Sequence, residues 1–527
     1  MSLANNILKI RTKYNISQEQ LAEKLGVSRQ AVQKWENGTS VPDLNHIINI
    51  AKRFGFSIDA LILDSDLRIM EELKNDRLIQ PCFEKMHVWN TYSKQLGVEH
   101  LQCVSEGKDI TDYATLFDEI GKLPDGPQKE KIAEGIYELC MALPVKDDFA
   151  FDEPSDLNKI FEKSKGCTEK LAKPSKKDFE SKVKGAWYGR IAGCLLGKPI
   201  EGIRTNELIP FLKETGNYPL HRYIVKADIT EEIINKYSFR FDNKDYTYAD
   251  CISAAPSDDD TNYTVLGQII LYNYGRDFTP EDVSNVWLNY QPQTAYCTAE
   301  RVAYNNFING YLPPASAVYK NPYREYIGAQ IRADYFGYIN PADPKTAAEM
   351  AWRDASISHV KNGIYGEMFV AAMLAAAATT DDFEKIIEIG LSQIPQTSRL
   401  YESVNRVLGW YCDGATKDEV FKNIHAEWDE YTNFAWCHTI SNAMIVATAL
   451  LYGKDFSGAI CMAVETGFDT DCNGATVGSI YGMAKGFDII PSEWITPLNG
   501  KLQVGIIGKN PVEIEELIEK TVVHAGY

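Results

Sequence analysis

The residues of this chain best suited to chemistry lie in four short stations far apart in sequence. They are Glu201, the run Asp258-Asp259-Asp260-Thr261, the pair Ser358-His359, and the run Asp469-Thr470-Asp471-Cys472-Asn473. The two aspartate runs hold five carboxylates, with no histidine and no Cys-x-x-Cys among them. Adjacent carboxylates repel one another unless a cation lies between them. Oxygen donors of this kind suit a hard divalent ion, Mg²⁺ or Mn²⁺, over Zn²⁺. Helix capping explains one acidic residue at a helix start, but not three in succession. The expectation is a metal-dependent enzyme.

Such stations need a scaffold that brings them together. Glycines recur at 185, 189, 193 and 197, and again at 474, 478, 482 and 486. A residue at every fourth position forms one ridge on a helix, and a ridge of glycine lets a second backbone approach closely. Each glycine lowers helix stability by about 1 kcal/mol, so tight packing must compensate. One ladder ends just before Glu201 and the other begins just after Asp471, so packing of the two would bring carboxylates to one place. From Phe179 onward Ala, Leu, Ile and Met dominate, punctuated by Gly and Pro, and β-branched alternation is scarce. That pattern predicts an all-α body.

At 527 residues the chain predicts two or three domains. Its 45% hydrophobic and 24% charged content are those of a globular protein in water. No apolar run reaches the length of a membrane span, and the N-terminus lacks the apolar segment of an export signal. Eleven cysteines without paired spacing suit a reducing cytoplasm. The net charge is −19, yet residues 1–63 carry eight Lys/Arg against five Asp/Glu, a surplus of +3 that leaves −22 on the remainder. An acidic body repels nucleic-acid phosphate, so any contact with DNA falls to the basic N-terminal module.

That module reads as a small helical bundle. Leu21, Leu25, Val27, Ala31, Val32 and Trp35 line the inner faces of two short helices. Ser17 and Gln20 have the form of a capping box, Gly26 fits the turn, and Ser28 caps the following helix. The segment Gln18 to Gly38 resembles the helix-turn-helix of Cro/repressor-type (Xre) regulators. The resemblance implies a recognition helix that points Arg29, Gln30, Gln33 and Lys34 at base edges and phosphates, with Gln18 and Ser28 beside them. It also implies double-stranded DNA as a partner, bound by a homodimer on a two-fold site.

Residues 67–173 are expected as a helical connector between a DNA-binding domain at 1–66 and a catalytic domain at 174–527. Leu67–Leu78 and Lys129–Leu143 have helical periodicity, Pro124-Asp125-Gly126-Pro127 marks a turn, and Lys163–Lys177 suits an exposed linker.

Lys184–Glu201, Ser257–Thr261, Ser358–Gly366 and Gly467–Asn473 look like the ordered motifs of the ADP-ribosylglycohydrolases, over roughly residues 180–490. The resemblance implies an all-α fold with two divalent metal ions at the bottom of a cleft. Carried over by motif, Asp258, Asp259, Asp260, Asp469, Asp471 and Cys472 surround the metals. Glu201, Asp259 and Asp260 are the catalytic candidates. Gly328 and Arg332 lie in a segment similar to the family's phosphate loop, and His359, Gly363, Tyr365 and Gly366 would shape the substrate pocket. Three positions depart from the family: Asp258 and Cys472 stand where Thr is common, and Ile327 where the phosphate loop usually has Asn. The resemblance implies a hydrolase of an N- or O-glycosidic bond acting on an ADP-ribosyl or other ribosyl substrate. The alternative is a transcriptional regulator whose body senses a ligand with little or no turnover. A nucleoside hydrolase is a further enzyme reading, disfavoured by the helical pattern. Within the residues themselves, Arg332 could pair with Asp334, and Asn321–Tyr326 could be core or stack on a base.

Overall fold

The computed structural model describes residues 2–56, 58–62, 81–508 and 510–527, and the chain divides into two compact units, Met1–Phe83 and Glu84–Tyr527. The predicted helix at Leu67–Leu78 lies outside the described residues.

The first unit is a bundle of α1 (Ser2–Lys13), α2 (Gln18–Leu25), α3 (Arg29–Glu36), α4 (Leu44–Phe54) and α5 (Ile58–Ile62). The local signals act as expected. Ser17 accepts from the Gln20 N–H and the Gln20 side chain returns the bond, Gly26 ends α2 in the left-handed region, and Ser28 accepts from the Ala31 N–H to start α3. Leu21, Leu25, Val32 and Trp35 are buried with Ile7, Ile50 and Phe54, and Val27 and Ala31 pack against them.

The second unit is helical apart from one two-stranded antiparallel ribbon among the described residues, β1 (Lys501–Leu502) and β2 (Val512–Glu513), in register Lys501↔Glu513. It begins with α6 (Leu96–Ser105) and α7 (Pro127–Ala142), the latter started by the predicted Pro-Asp-Gly-Pro turn. Buried polar contacts tie this region to the later part of the unit. Arg324 donates to Glu99 at 2.9 Å and to Glu106 at 2.7 Å, while Arg399 pairs with Glu153 at 2.7 Å and with Glu325. Lys163–Lys177 is not a free linker. The Gly166 N–H donates to the Ser392 carbonyl at 2.8 Å, and the Lys163 carbonyl accepts from Gln396 at 3.1 Å. Charged composition reports where side chains are solvated; it does not report these backbone bonds.

The body contains α8 (Lys176–Gly197), α9 (Asp259–Tyr274), α10 (Thr298–Ile308), α11 (Pro344–Ala355), α12 (Asn362–Ala377), α13 (Thr439–Tyr452) and α14 (Thr470–Lys485); α14 packs on α8, and α12 packs on α11, α13 and α14. No helix among the described residues is long and apolar enough to cross a membrane. Helices α8 and α14 run antiparallel with their glycines facing. A Cβ on Gly185 would come 2.5 Å from the Gly482 carbonyl oxygen, and one on Gly189 or Gly193 would collide with the carbonyls of Gly478 or Gly474. Glycines of α14 meet α8 in the same way. Thr470 closes the end of the seam by donating to the Gly197 carbonyl at 3.0 Å.

Alanine at Gly189 would gain about 1 kcal/mol of helix propensity. It would also force two backbones apart, at an overpacking cost of about 1–3 kcal/mol or more. Gly189→Ala is therefore expected to lower the urea midpoint of the body; a raised midpoint would show that the seam is not close-packed in solution.

Candidate metal centre and nucleic-acid interface

The seam delivers Glu201 and the two aspartate runs to one end of the body. Glu201 follows the single 3₁₀ turn that ends α8, Asp258 is the N-cap of α9, and Asp469 is the N-cap residue of α14. Three groupings result, each with its ligand atoms within 4.8 Å of one another: Glu201–Asp469–Asp471, Asp260–Asp471–Cys472 and Cys194–Asp258–Asp260. Asp259 belongs to none of them and is half-buried beside Asp258.

Two cations hold the carboxylates apart. Arg190, fully buried in α8, donates to the Asp260 carbonyl at 2.7 and 3.0 Å, to Asp260 Oδ1 at 3.1 Å and to Asp334 Oδ2 at 2.7 Å. Lys198 Nζ pairs with Asp258 Oδ2, while Asp258 Oδ1 accepts the Asp260 N–H at 2.9 Å. Burial would raise the Asp258 carboxyl, but Lys198 outweighs it and holds the group at about 2. Asp258 thus has both oxygens engaged. Asp260 and Asp471 are different. Asp260 Oδ2 and Asp471 Oδ1 are buried without a hydrogen-bond partner. Burial, with Arg190 only partly offsetting it at Asp260, pushes both carboxyls well above the ordinary range. Orphaned carboxyl oxygens in this setting are what a cation would satisfy in place of a proton, so the residues fit a divalent metal. Glu201 is open to solvent on one side, yet the protein packed around its carboxyl and the charge of Asp469 push it up to about 7.

Several residues of the centre escape a reading based on acidic runs. Asn442 of α13 accepts the Asp469 N–H at 3.2 Å and a bond from Asn473 at 2.8 Å. The Cys437 thiol donates to Asp469 Oδ2 at 3.3 Å. Arg190 and Lys198 carried a detectable signal, being charged residues within or next to the glycine ladder; Asn442 and Cys437 carried none.

The residues expected at the substrate lie deeper. Arg332 does not pair with Asp334, which Arg190 holds. Its Nη1 donates to Glu300 at 2.8 Å and to the Gly328 carbonyl at 3.2 Å, its Nη2 donates to the Asp354 carbonyl at 3.1 Å, and its Nε donates to Asp354. With four of its five N–H groups bonded, Nη2 also 3.5 Å from Glu367 Oε2, and 1% exposure, the guanidinium is spent on buried carboxylates and backbone. Arg332 is thus a core hub in this structure. A Cβ on Gly328 would collide with the Glu300 carboxylate, one on Gly363 would lie 2.6 Å from the Arg324 carbonyl, and one on Gly366 would collide with Thr439. These glycines therefore serve close packing. Tyr365 is buried and donates to the Pro154 carbonyl. His359 bonds Ser358 through Nδ1 at 2.8 Å, and burial keeps its ring neutral. Its Nε2 is unpartnered, 4.0 Å from Glu300 Oε1. Tyr323 and Tyr326 are buried, so Asn321–Tyr326 is core.

In the N-terminal unit Ser28, Arg29, Gln30, Gln33 and Lys34 are exposed on α3, whose opposite side buries Val32 and Trp35. Gln18 is half-buried and donates to Glu36 at 2.7 Å, and Glu36 also holds Arg11 at 2.6 Å.

A family model described as ADP-ribosylglycohydrolase matches residues 175–525, and one described as helix-turn-helix matches residues 7–61. Curated relatives align with the N-terminal part. The HTH-type transcriptional activator BcrR of Enterococcus faecalis is 39% identical over 75 residues, which are 14% of this chain and 37% of that protein. The chain thus spans little more than a third of that relative. The cryptic phage CTXphi transcriptional repressor RstR of Vibrio cholerae is 32% identical over 82 residues, 15% of this chain and 74% of that protein. A solved structure titled ADP-ribosylglycohydrolase-related protein complex superposes with a TM-score of 0.43 at 17% identity, covering 66% of this chain and 98% of that one.

Removing the buried guanidinium would leave Asp260 and Asp334 uncompensated, which costs about 3–5 kcal/mol for a broken buried pair. Arg190→Met is expected to lose that much stability in urea denaturation, with part of it restored by Mn²⁺. Wild-type stability without added metal would show that Arg190 does not hold the centre together.

Proposed function

The chain belongs to the ADP-ribosylglycohydrolase family through residues 175–525, and from that premise we propose that it hydrolyses the glycosidic bond of an ADP-ribosyl or related ribosyl substrate at a centre holding two divalent ions, Mg²⁺ or Mn²⁺. The observation that carries the reading is the convergence of two aspartate runs with two orphaned carboxylate oxygens, Asp260 Oδ2 and Asp471 Oδ1. Asp260, Asp469 and Asp471 would hold the ions, with Asp258, Asp259 and Cys472 around them. Bound metal would supply charge for the ribose hydroxyls and lower the pKa of an attacking water.

The residues of the chain then divide the remaining work. Such bonds break through an oxocarbenium-like transition state, which requires a positioned water and a protonated leaving group. Asp259, half-buried and free of the groupings that hold Asp260, is the candidate to accept the proton from water. Glu201, on the solvent side of the centre and grouped with Asp469 and Asp471, is the candidate to complete the hold on one ion, to assist the leaving group or to gate its entry. Lys198 holds Asp258 ionised and Arg190 fixes the first turn of α9, so both act by positioning. His359, with its free Nε2 beside Glu300, offers a polar pair to a substrate hydroxyl. Arg332 supports that pair from behind.

The presence of every acidic residue supports turnover over a sensor that only binds. The helix-turn-helix unit is proposed to read a two-fold DNA site as a homodimer, through Arg29, Gln30, Gln33 and Lys34, with Gln18 and Ser28 beside them.

Purified protein with Mg²⁺ or Mn²⁺ is expected to release ADP-ribose or ribose from one member of a panel of ADP-ribosyl-arginine, ADP-ribosyl-serine, ADP-ribose and nucleosides, followed by HPLC. Asp259→Ala should lower the rate by about 10²–10⁴-fold. Full turnover in that variant removes Asp259 from the mechanism, and silence across the panel favours the sensor. For the DNA unit, a site selected from random duplexes should lose about 1–3 kcal/mol of affinity in Gln33→Ala, with hydrolysis unchanged. Equal affinity by fluorescence anisotropy would exclude base readout by Gln33.

A further inference from the structure

Two of the three groupings at the centre contain sulfur. Cys472 Sγ lies with carboxylate oxygens of Asp260 and Asp471, and Cys194 Sγ with those of Asp258 and Asp260. The third grouping, Glu201–Asp469–Asp471, offers oxygen alone. Asp471 is common to the oxygen grouping and to that of Cys472.

The two sulfur groupings are not equally available. In that of Cys194, both Asp258 oxygens are already engaged, by Lys198 and by the Asp260 N–H. In that of Cys472, both carboxylates keep an unpartnered buried oxygen, Asp260 Oδ2 and Asp471 Oδ1. A buried cysteine is ordinarily a small apolar residue. Cys472 is instead buried against two carboxylates that each keep one unpartnered oxygen, where an apolar role relieves nothing. A third thiol, Cys437, already spends its S–H on Asp469.

Donor type decides which ion each grouping prefers. Carboxylate oxygens suit Mg²⁺ and Mn²⁺, whereas a thiolate among them raises affinity for ions later in the first-row series. We propose that the two metal stations are chemically unequal: Glu201–Asp469–Asp471 takes a hard ion, and Asp260–Asp471–Cys472 takes a borderline divalent ion of the Fe²⁺, Co²⁺ or Zn²⁺ class, with Asp471 shared between them. The inference rests on the reading of this end of the body as a metal centre and adds the identity of the second ion. It also gives the cysteine that replaces the family's threonine a chemical role.

The test is a Co²⁺ titration of metal-stripped, reduced, full-length protein in saturating Mg²⁺, read by ultraviolet absorption. The expected result is a thiolate-to-Co²⁺ charge-transfer band that saturates at one equivalent. It should persist in Cys437→Ser and vanish in Cys472→Ser, with Co²⁺ affinity falling about tenfold or more and Mg²⁺ affinity by calorimetry unchanged. The wild-type spectrum alone reports whether sulfur binds, and Cys472→Thr provides a second variant if the serine folds poorly. A wild-type spectrum without the band, or a band retained in folded Cys472→Ser, overturns the proposal. If Mg²⁺ and Co²⁺ both bind through oxygen only, this inference falls and the metal-dependent glycohydrolase reading stands. If no divalent ion binds, both fall.

Discussion

The close approach of α8 and α14 is the constraint on which the rest of the body depends. Seven glycines within the two helices cost about 1 kcal/mol each in helix propensity, and no exposed pair of helices would tolerate that. The cost is offset because facing glycines remove every side chain from the seam. The backbones come near enough that a methyl on either side would meet a carbonyl. The seam also sets the separation of the helix ends. Glu201 leaves one end and Asp469 and Asp471 enter at the same end, because the helices are antiparallel. With side chains between them, the two acidic stations would stand farther apart by the thickness of that layer.

Bringing carboxylates together creates an electrostatic problem that the fold solves only in part. Lys198 neutralises Asp258, and Arg190 serves Asp260 and Asp334 at once. Buried carboxylates without such partners are costly, since desolvation disfavours the charged form. The protein therefore leaves a deficit of positive charge at Asp260 and Asp471. A similar economy governs Arg332, whose three nitrogens are shared among Glu300, Asp354 and the Gly328 backbone. That hub lies under Gly328 and near His359, so it fixes the loop without facing a ligand.

How much of this is legible in the residues depends on the range of the interaction. The glycine period, the aspartate runs, the Ser17 and Ser28 caps and the Gly26 turn are local patterns, and each appears in the structure as its chemistry dictates. The partners that make the centre work are not local. Arg190 reaches Asp334 across 144 positions, and Arg324 reaches Glu106 across 218. Nothing in a single sequence distinguishes such an arginine from a solvated one. Arg332 illustrates the limit. Its neighbour Asp334 is two residues away and is the obvious partner, yet the two side chains diverge to different helices.

The region before the body shows the same limit in a more consequential form. Residues 67–173 read as a helical connector, and nothing in their local pattern says what their glutamates meet. In the structure Glu99, Glu106 and Glu153 are the counter-ions of Arg324 and Arg399. Arg324 is 3% exposed, so without those glutamates its charge would be buried with backbone such as the Asn321 carbonyl in their place. Glu325, the second partner of Arg399, lies one residue before Tyr326 in the loop that leads to Gly328. The region is thus bound to the body by desolvated ion pairs, which are strongly destabilising to break one-sidedly. In the chain it comes after the helix-turn-helix unit, which has a separate apolar core of its own. The division of the chain falls between Phe83 and Glu84, inside the expected connector, and the glutamates that follow it share buried ion pairs with the later part of the same unit.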